Sequence, residues 1–183
     1  MDMVIPPATV LCVCTGNICR SPAMELFLAR AWGADAVVKS AGTMAAVGWH
    51  IPDPMQRAEH EIGLDGSHHH PTQLDVAAVE HSDLLLIAAG NHRAWIQHHV
   101  GAVPPNTFLL TEAAALTKVA RRPAGTNRAD SIATAASLLD AARTPDGGPY
   151  PDIDDPYGHG DDAYVRAMTE IAAALTALVD WVG

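Results

Sequence analysis

The chain has 183 residues, 49% of them hydrophobic, and a formal net charge of −10, which suits one domain with a sizeable core. The acidic balance and the lack of a basic run argue against a nucleic-acid surface, and no apolar stretch is long enough to span a bilayer. Its three cysteines, Cys12, Cys14 and Cys19, crowd into one stretch, which makes no disulfide framework and points to a reducing, cytoplasmic setting.

Met1 to Pro7 lacks the basic-then-apolar pattern of a secretory signal, and the alanine-rich composition suggests a GC-rich bacterial genome. Val10 to Val13 reads as a strand buried on both faces, and it runs straight into a polar loop. Ser21 suits a helix N-cap and Pro22 the first helical position. Met24, Phe27, Leu28, Ala31 and Trp32 recur at helical spacing, so a helix follows and fades near Gly33.

Five residues separate Cys14 from Arg20, and the loop must curl to join strand to helix. A curled loop at a helix start turns its N–H groups toward one spot and makes an anion nest. Gly16 permits the turn, and Arg20 adds a planar cationic fork that matches two oxygens of a phosphate. A cysteine at the floor of that nest is a nucleophile aimed at phosphorus. The bland alternative is a buried structural cysteine beside a surface arginine, which leaves the nest unused.

Cys14-Thr15-Gly16-Asn17-Ile18-Cys19-Arg20-Ser21-Pro22 resembles the signature loop of the low-molecular-weight protein tyrosine phosphatases. The resemblance implies an α/β fold, three-layer α/β/α and flavodoxin-like, with a four-stranded parallel sheet and residues 1–183 as a single domain. It implies hydrolysis of phosphotyrosine in a protein partner through a cysteinyl phosphate, with no metal or cofactor, and a phosphate or similar oxyanion in the loop. Thr15, Gly16, Asn17, Ile18 and Cys19 would line that oxyanion. Asn17 and Ser21 would hold the loop, and Ser21 would ease departure of the sulfur. Cys19 would protect Cys14 as a reversible disulfide, or else simply fill the loop. Some relatives prefer phosphoarginine and carry a small polar residue where Ile18 stands; an apolar Ile18 favours a phenyl ring.

Ala36 to Ser40 reads as the second strand, with Ser40 to Thr43 as its exit. By the resemblance Ser40 supports the phosphate loop; the alternative is an ordinary strand-end turn. Trp49 lies in a loop flanked by Gly48 and Pro52, and an aromatic wall is what a phenyl phosphate needs. It is assigned to the pocket rim, with a peripheral core plug as the other reading. Gln56 to Ile62 is a helix ended by Gly63 to Ser67.

His68, His69 and His70 invite a metal reading, yet adjacent histidines on an extended chain point in different directions, and no metal site is assigned. The resemblance gives His69 the role of a histidine that contacts the loop asparagine, although Pro71 and Thr72 depart from the family's pattern there. Asp75 to Glu80 makes a short helix, Leu84 to Ala88 the third strand, and Asn91 begins a further helix. The family places an aspartate where Gly90 stands, so one polar support is absent or comes from elsewhere.

Thr107 to Leu110 is the fourth strand, Glu112 to Val119 a helix and Ser131 to Arg143 another. The region around 112–149 is longer than the family's usual connection, and we read it as an inserted helical element beside the active site, a gate, a partner surface or mere decoration. In Pro151-Asp152-Ile153-Asp154-Asp155-Pro156-Tyr157, the proline holds Asp155 in extended geometry on a stiff loop. A carboxylic acid at the pocket mouth protonates a leaving phenolate and then activates water. The motif gives that role to Asp155, with Asp154 as the alternative in register, and puts Tyr157 on the rim facing Trp49. Asp161 and Asp162 open the last helix, whose stripe of Tyr164, Met168, Ile171, Leu175, Leu178 and Val182 packs on the sheet.

Two rival functions are arsenate reduction, for which no downstream cysteine follows Cys19 to shuttle a disulfide, and a non-catalytic phosphate-binding module, which needs neither Cys14 nor Asp155.

Overall fold

A computed structural model describes residues 6–183. Most of Met1 to Pro7, the stretch scanned for a secretory signal, lies outside the described residues. The strands are β1 (Ala8–Cys14), β2 (Ala36–Gly42), β3 (Leu84–Ile87) and β4 (Thr107–Leu109), all parallel, in the order β2-β1-β3-β4. The helices are α1 (Arg20–Trp32), α2 (Asp53–Glu61), α3 (Val76–Glu80), α4 (Asn91–Val100), α5 (Leu110–Leu116), α6 (Arg128–Ala141) and α7 (Asp161–Val182).

The strand side chains explain the layering. Val10, Cys12 and Cys14 of β1 with Leu84 and Leu86 of β3 enter a large core together with residues of α1, α2, α5, α6 and α7. Leu11, Val13, Leu85 and Ile87 point the other way, into a smaller core with Val79 of α3 and Ile96 of α4. Alternation along strands buried on both faces therefore yields the expected three-layer α/β/α architecture. Chain order reverses across β1, since β2 lies on one side and β3 on the other, and a crevice opens at the carboxyl end of β1. Cys14 is the residue at that end, paired with Gly42 of β2.

Two local expectations change. Helix α1 begins at Arg20, with Cys19 at the N-cap, and no side chain caps it. Ser21 is not the cap because its hydroxyl turns to Cys14 and Asn17. Pro22 then sits third in the first turn, where an N–H would have no intrahelical partner.

Helix α6, within the region around 112–149, packs into the large core. Ile132, Ala135 and Leu139 of α6 are wholly buried in the large core, and no residue of the region lines the cavity at Cys14. Arg128 at the start of α6 pairs with Asp35, just before β2, and donates to the Gly183 carbonyl, so this end is tied to the sheet edge opposite the crevice. Apolar spacing on α6 makes it part of the core layer on that face of the sheet.

Candidate active site

The turn from β1 into α1 is held from outside. The carbonyls of Cys14, Thr15 and Gly16 accept from the N–H groups of Thr43, Met44 and Ala46, at 3.0, 2.9 and 2.9 Å. His69 Nε2 donates to the Asn17 carbonyl at 2.8 Å. With four successive carbonyls turned outward, the N–H groups of the loop face its concave side. Gly42 makes the close approach possible, because a Cβ there would lie 2.4 Å from the Thr15 carbonyl oxygen.

Asn17 is the hub of the turn. It is fully buried and adopts φ 55°, a left-handed conformation that asparagine tolerates better than most residues. Its Nδ2 donates to Ser21 Oγ and Ser40 Oγ at 2.9 and 2.8 Å, and its Oδ1 accepts from Thr72 N–H at 2.8 Å. Ser40 Oγ donates in turn to Glu25. Every polar atom of the asparagine side chain is thereby used, as burial demands. Two donors converge on the sulfur: Asn17 N–H at 3.2 Å and Ser21 Oγ at 3.0 Å from Cys14 Sγ.

Arg20 lies under the acid loop. Its two terminal nitrogens reach the Ile153 carbonyl at 2.9 Å and Asp155 Oδ2 at 2.7 Å. Its Nε is buried with no hydrogen-bond partner among the described residues. Asp155 borders both the cavity at Cys14 and an adjoining groove with Arg166 and Glu170, whereas Asp154 lines the groove but not the cavity.

The cavity has a volume of about 280 Å³ and is lined by Cys14, Thr15, Gly16, Ile18, Cys19 and Arg20 below, and by Ala46, Trp49, Asp155 and Tyr157 at its mouth. Trp49 and Tyr157 stand 58% and 48% exposed, as walls free to stack on an entering ring. All three cysteines are unpaired, and burial pushes the Cys19 thiol well up.

Asn17, Ser21, Ser40 and His69 support the loop from behind and do not border the cavity. His68 and His70 line a separate surface hollow with Glu25 and Lys39, and no group of three metal-ligating side chains occurs among the described residues. At Gly90, whose N–H donates to Asp152 Oδ1 at 2.8 Å, the acid loop supplies the carboxylate itself.

Several participants escaped sequence reasoning. Glu25 and Thr72 anchor Asn17 and Ser40 but lie outside the motif, and Gly42 read as only a strand exit. His92, beside Thr15, carried one available signal, its place at the first helical turn after β3.

A family model described as low molecular weight phosphotyrosine protein phosphatase matches residues 9–112. The chain is 35% identical over 105 residues to a probable low molecular weight protein-tyrosine-phosphatase, EpsP, of Ralstonia nicotianae, covering 57% of this chain and 71% of the relative. Among solved structures, the tyrosine phosphatase Wzb from Escherichia coli K30 in complex with sulphate superposes with a TM-score of 0.71 at 23% identity, covering 96% of this chain and 98% of that one. The YwlE arginine phosphatase from Geobacillus stearothermophilus gives 0.71 at 24% identity, covering 95% and 92%. At those identities the two structures speak for the fold.

Proposed function

Because the chain belongs to the low molecular weight phosphotyrosine protein phosphatase family, we propose that it hydrolyses phosphotyrosine in a protein substrate by double displacement on Cys14. It is a phosphoric monoester hydrolase of the protein-tyrosine-phosphatase type.

One observation carries the reading: Cys14, Arg20 and Asp155, the last two 135 positions apart, border one cavity whose mouth is aromatic. Cys14 Sγ attacks phosphorus as the P–O bond to the aryl oxygen breaks, and Asp155 gives its proton to that oxygen. Arg20 and the inward N–H groups carry the charge on the three remaining oxygens. The Asp155 carboxylate then takes a proton from water as its oxygen attacks phosphorus. The P–S bond breaks, Ser21 O–H and Asn17 N–H receive the departing sulfur, and inorganic phosphate leaves. No step calls on a metal.

Dephosphorylation of arginine is the second reading, since relatives of both kinds share this fold. Ile18 favours tyrosine: it is buried in the cavity lining, where an apolar side chain suits a ring and leaves a guanidinium without acceptors. Arsenate reduction with a small-thiol donor would use the same loop, but it leaves Asp155 without a task. Three unpaired, buried cysteines suit a reducing cytoplasm, and among the described residues no helix is long and apolar enough to cross a membrane.

The test is steady-state hydrolysis of phosphotyrosine, phosphoserine and phosphoarginine peptides, with EDTA throughout. We expect phosphotyrosine turnover, at least tenfold above the other two in kcat/KM, abolished by Cys14→Ser. Phosphoarginine as the preferred substrate would reassign the enzyme, and no turnover of any peptide would overturn the reading.

A further inference from the structure

We infer that His92 is a positioning residue for this reaction, one that fixes the Thr15 hydroxyl as a hydrogen-bond donor to the bound phosphoryl group. The inference rests on the phosphatase reading above and adds to it a donor that lies outside the backbone nest.

The ring of His92 is 1% exposed, in the first turn of α4. Its Nδ1 lies 3.1 Å from the backbone N–H of Ala89. A backbone N–H can only donate, so Nδ1 must accept, and the proton of the neutral ring sits on Nε2. That Nε2 is 3.0 Å from Thr15 Oγ1, so the ring donates to the hydroxyl oxygen. The hydroxyl has a single proton, and with the histidine acting as donor it cannot be returned there. Thr15 follows Cys14 directly and borders the cavity, so the proton turns toward what the cavity binds.

This tautomer holds over the working range of pH. Burial foremost, and the nearby Arg20 cation second, bring the His92 pKa down to about 4; Asp152, the Ala89 backbone and Asp155 oppose this more weakly. A neutral ring adds no positive charge that would compete with Arg20 for the phosphoryl oxygens. The ring also stands where both halves of the site attach. In the Ala88–His92 turn, the Ala88 carbonyl accepts from Ile153 N–H at 2.9 Å, and Gly90 N–H donates to Asp152. A histidine here therefore relates the threonine's direction to the position of the acid loop.

The experiment compares wild type with Thr15→Val, Thr15→Ser, His92→Gln and the Thr15→Val/His92→Gln double variant. Inorganic phosphate binding is measured by calorimetry, kcat and KM with an aryl phosphate, and melting temperature as a control on folding. A single hydrogen bond of this kind is worth roughly five- to tenfold. We expect Thr15→Val and His92→Gln each to weaken phosphate binding and kcat/KM by about that factor. The double variant should be no worse than either single one, and Thr15→Ser, which keeps the hydroxyl, should recover most of what Thr15→Val loses. The acidic limb of the kcat/KM profile between pH 5 and 7 should be the same in wild type and His92→Gln.

Wild-type phosphate affinity in Thr15→Val overturns the inference, as do losses that add in the double variant. So does an acidic limb that vanishes with His92→Gln, which would make the ring itself a proton carrier. Should His92→Gln fail to fold, Thr15→Val still decides. Absence of wild-type turnover would instead sink the phosphatase reading, and the calorimetric arms would still test this donor.

Discussion

The nucleophile loop and the acid loop reach the same cavity by opposite means. The first is contiguous in sequence and sealed: Asn17 and Ser21 are fully buried, and the carbonyls from Cys14 to Asn17 are all held from outside. The second is brought from the far end of the chain and is anchored only on its approach. Thr111 holds the Pro151 carbonyl, Gly90 holds Asp152, and Ala88 and Arg20 hold Ile153. Beyond Ile153, the Asp155 side chain is half exposed; its Oδ1 accepts from Tyr157 N–H on its own loop at 3.2 Å, and its Oδ2 reaches across the site to Arg20. The difference follows the chemistry. Phosphate oxygens need donors in fixed places before they arrive, whereas an acid must leave Arg20, serve an aryl oxygen and then serve water.

The largest effect expected from breaking this comparison is at Asp155. Asp155→Asn removes the proton donor and should lower kcat about 10²- to 10³-fold, within the range for general acid–base catalysis. The melting temperature should fall only modestly, because Asn keeps an oxygen that can accept from the buried Arg20 and the Asp155 side chain itself is 49% exposed. Asp154→Asn, whose side chain lines the groove with Arg166, should stay within a few-fold of wild type. Steady-state kinetics on the two variants decides between them, and an inverted pattern would give the acid role to Asp154.

In the nucleophile loop the same kind of change should cost both activity and stability. Asn17→Ala deletes two donated and one accepted hydrogen bond and leaves Ser40 Oγ and Thr72 N–H without this partner. We expect a loss on the order of 2–4 kcal/mol in denaturant unfolding together with a large fall in kcat/KM. Asn17→Gly loses the same bonds but accepts φ 55° freely, so it should recover about 1 kcal/mol relative to alanine. Equal stability of the two variants would show that the backbone is not strained there.

How far each loop could be read from sequence follows from the same contrast. The Cys14–Pro22 stretch carried its own context of strand, loop and helix, and the unbroken apolar runs Val10 to Val13 and Leu84 to Ile87 fall in β1 and β3, the two central strands. Asp155 was legible only because its motif is unusual; the partnership with Arg20 is a tertiary fact. Glu25, Thr72 and His92 were not legible, since each acts by one side-chain bond whose partner lies 15 to 77 positions away. Helix α6 carried a signal of another kind: Ile132, Ala135 and Leu139 recur at helical spacing and mark the face that enters the core.

A third polar group near the nucleophile loop sharpens the comparison, because it has burial without partners. Glu59 of α2 is wholly inaccessible, and neither carboxylate oxygen has a hydrogen-bond partner among the described residues. Gly66 makes its room, since a Cβ there would come within 2.6 Å of Oε2. Burial first, and Asp65 second, raise its pKa to about 8, so the folded protein keeps it as a neutral acid where the unfolded chain has already ionised it. Between the ordinary carboxylate range and about pH 8 the folded state binds the extra proton. Stability must therefore fall by ~1.4 kcal/mol per pH unit as pH rises through that window, and level off above it. Glu59→Gln cannot ionise and should flatten this slope. Melting temperatures of the two proteins should lie close together at pH 5, with the variant about 10–20 °C higher at pH 8.5. Parallel curves would mean that the carboxyl finds a partner which keeps its charge. Glu59 would then join Asn17 and Ser21 as a buried polar group with partners.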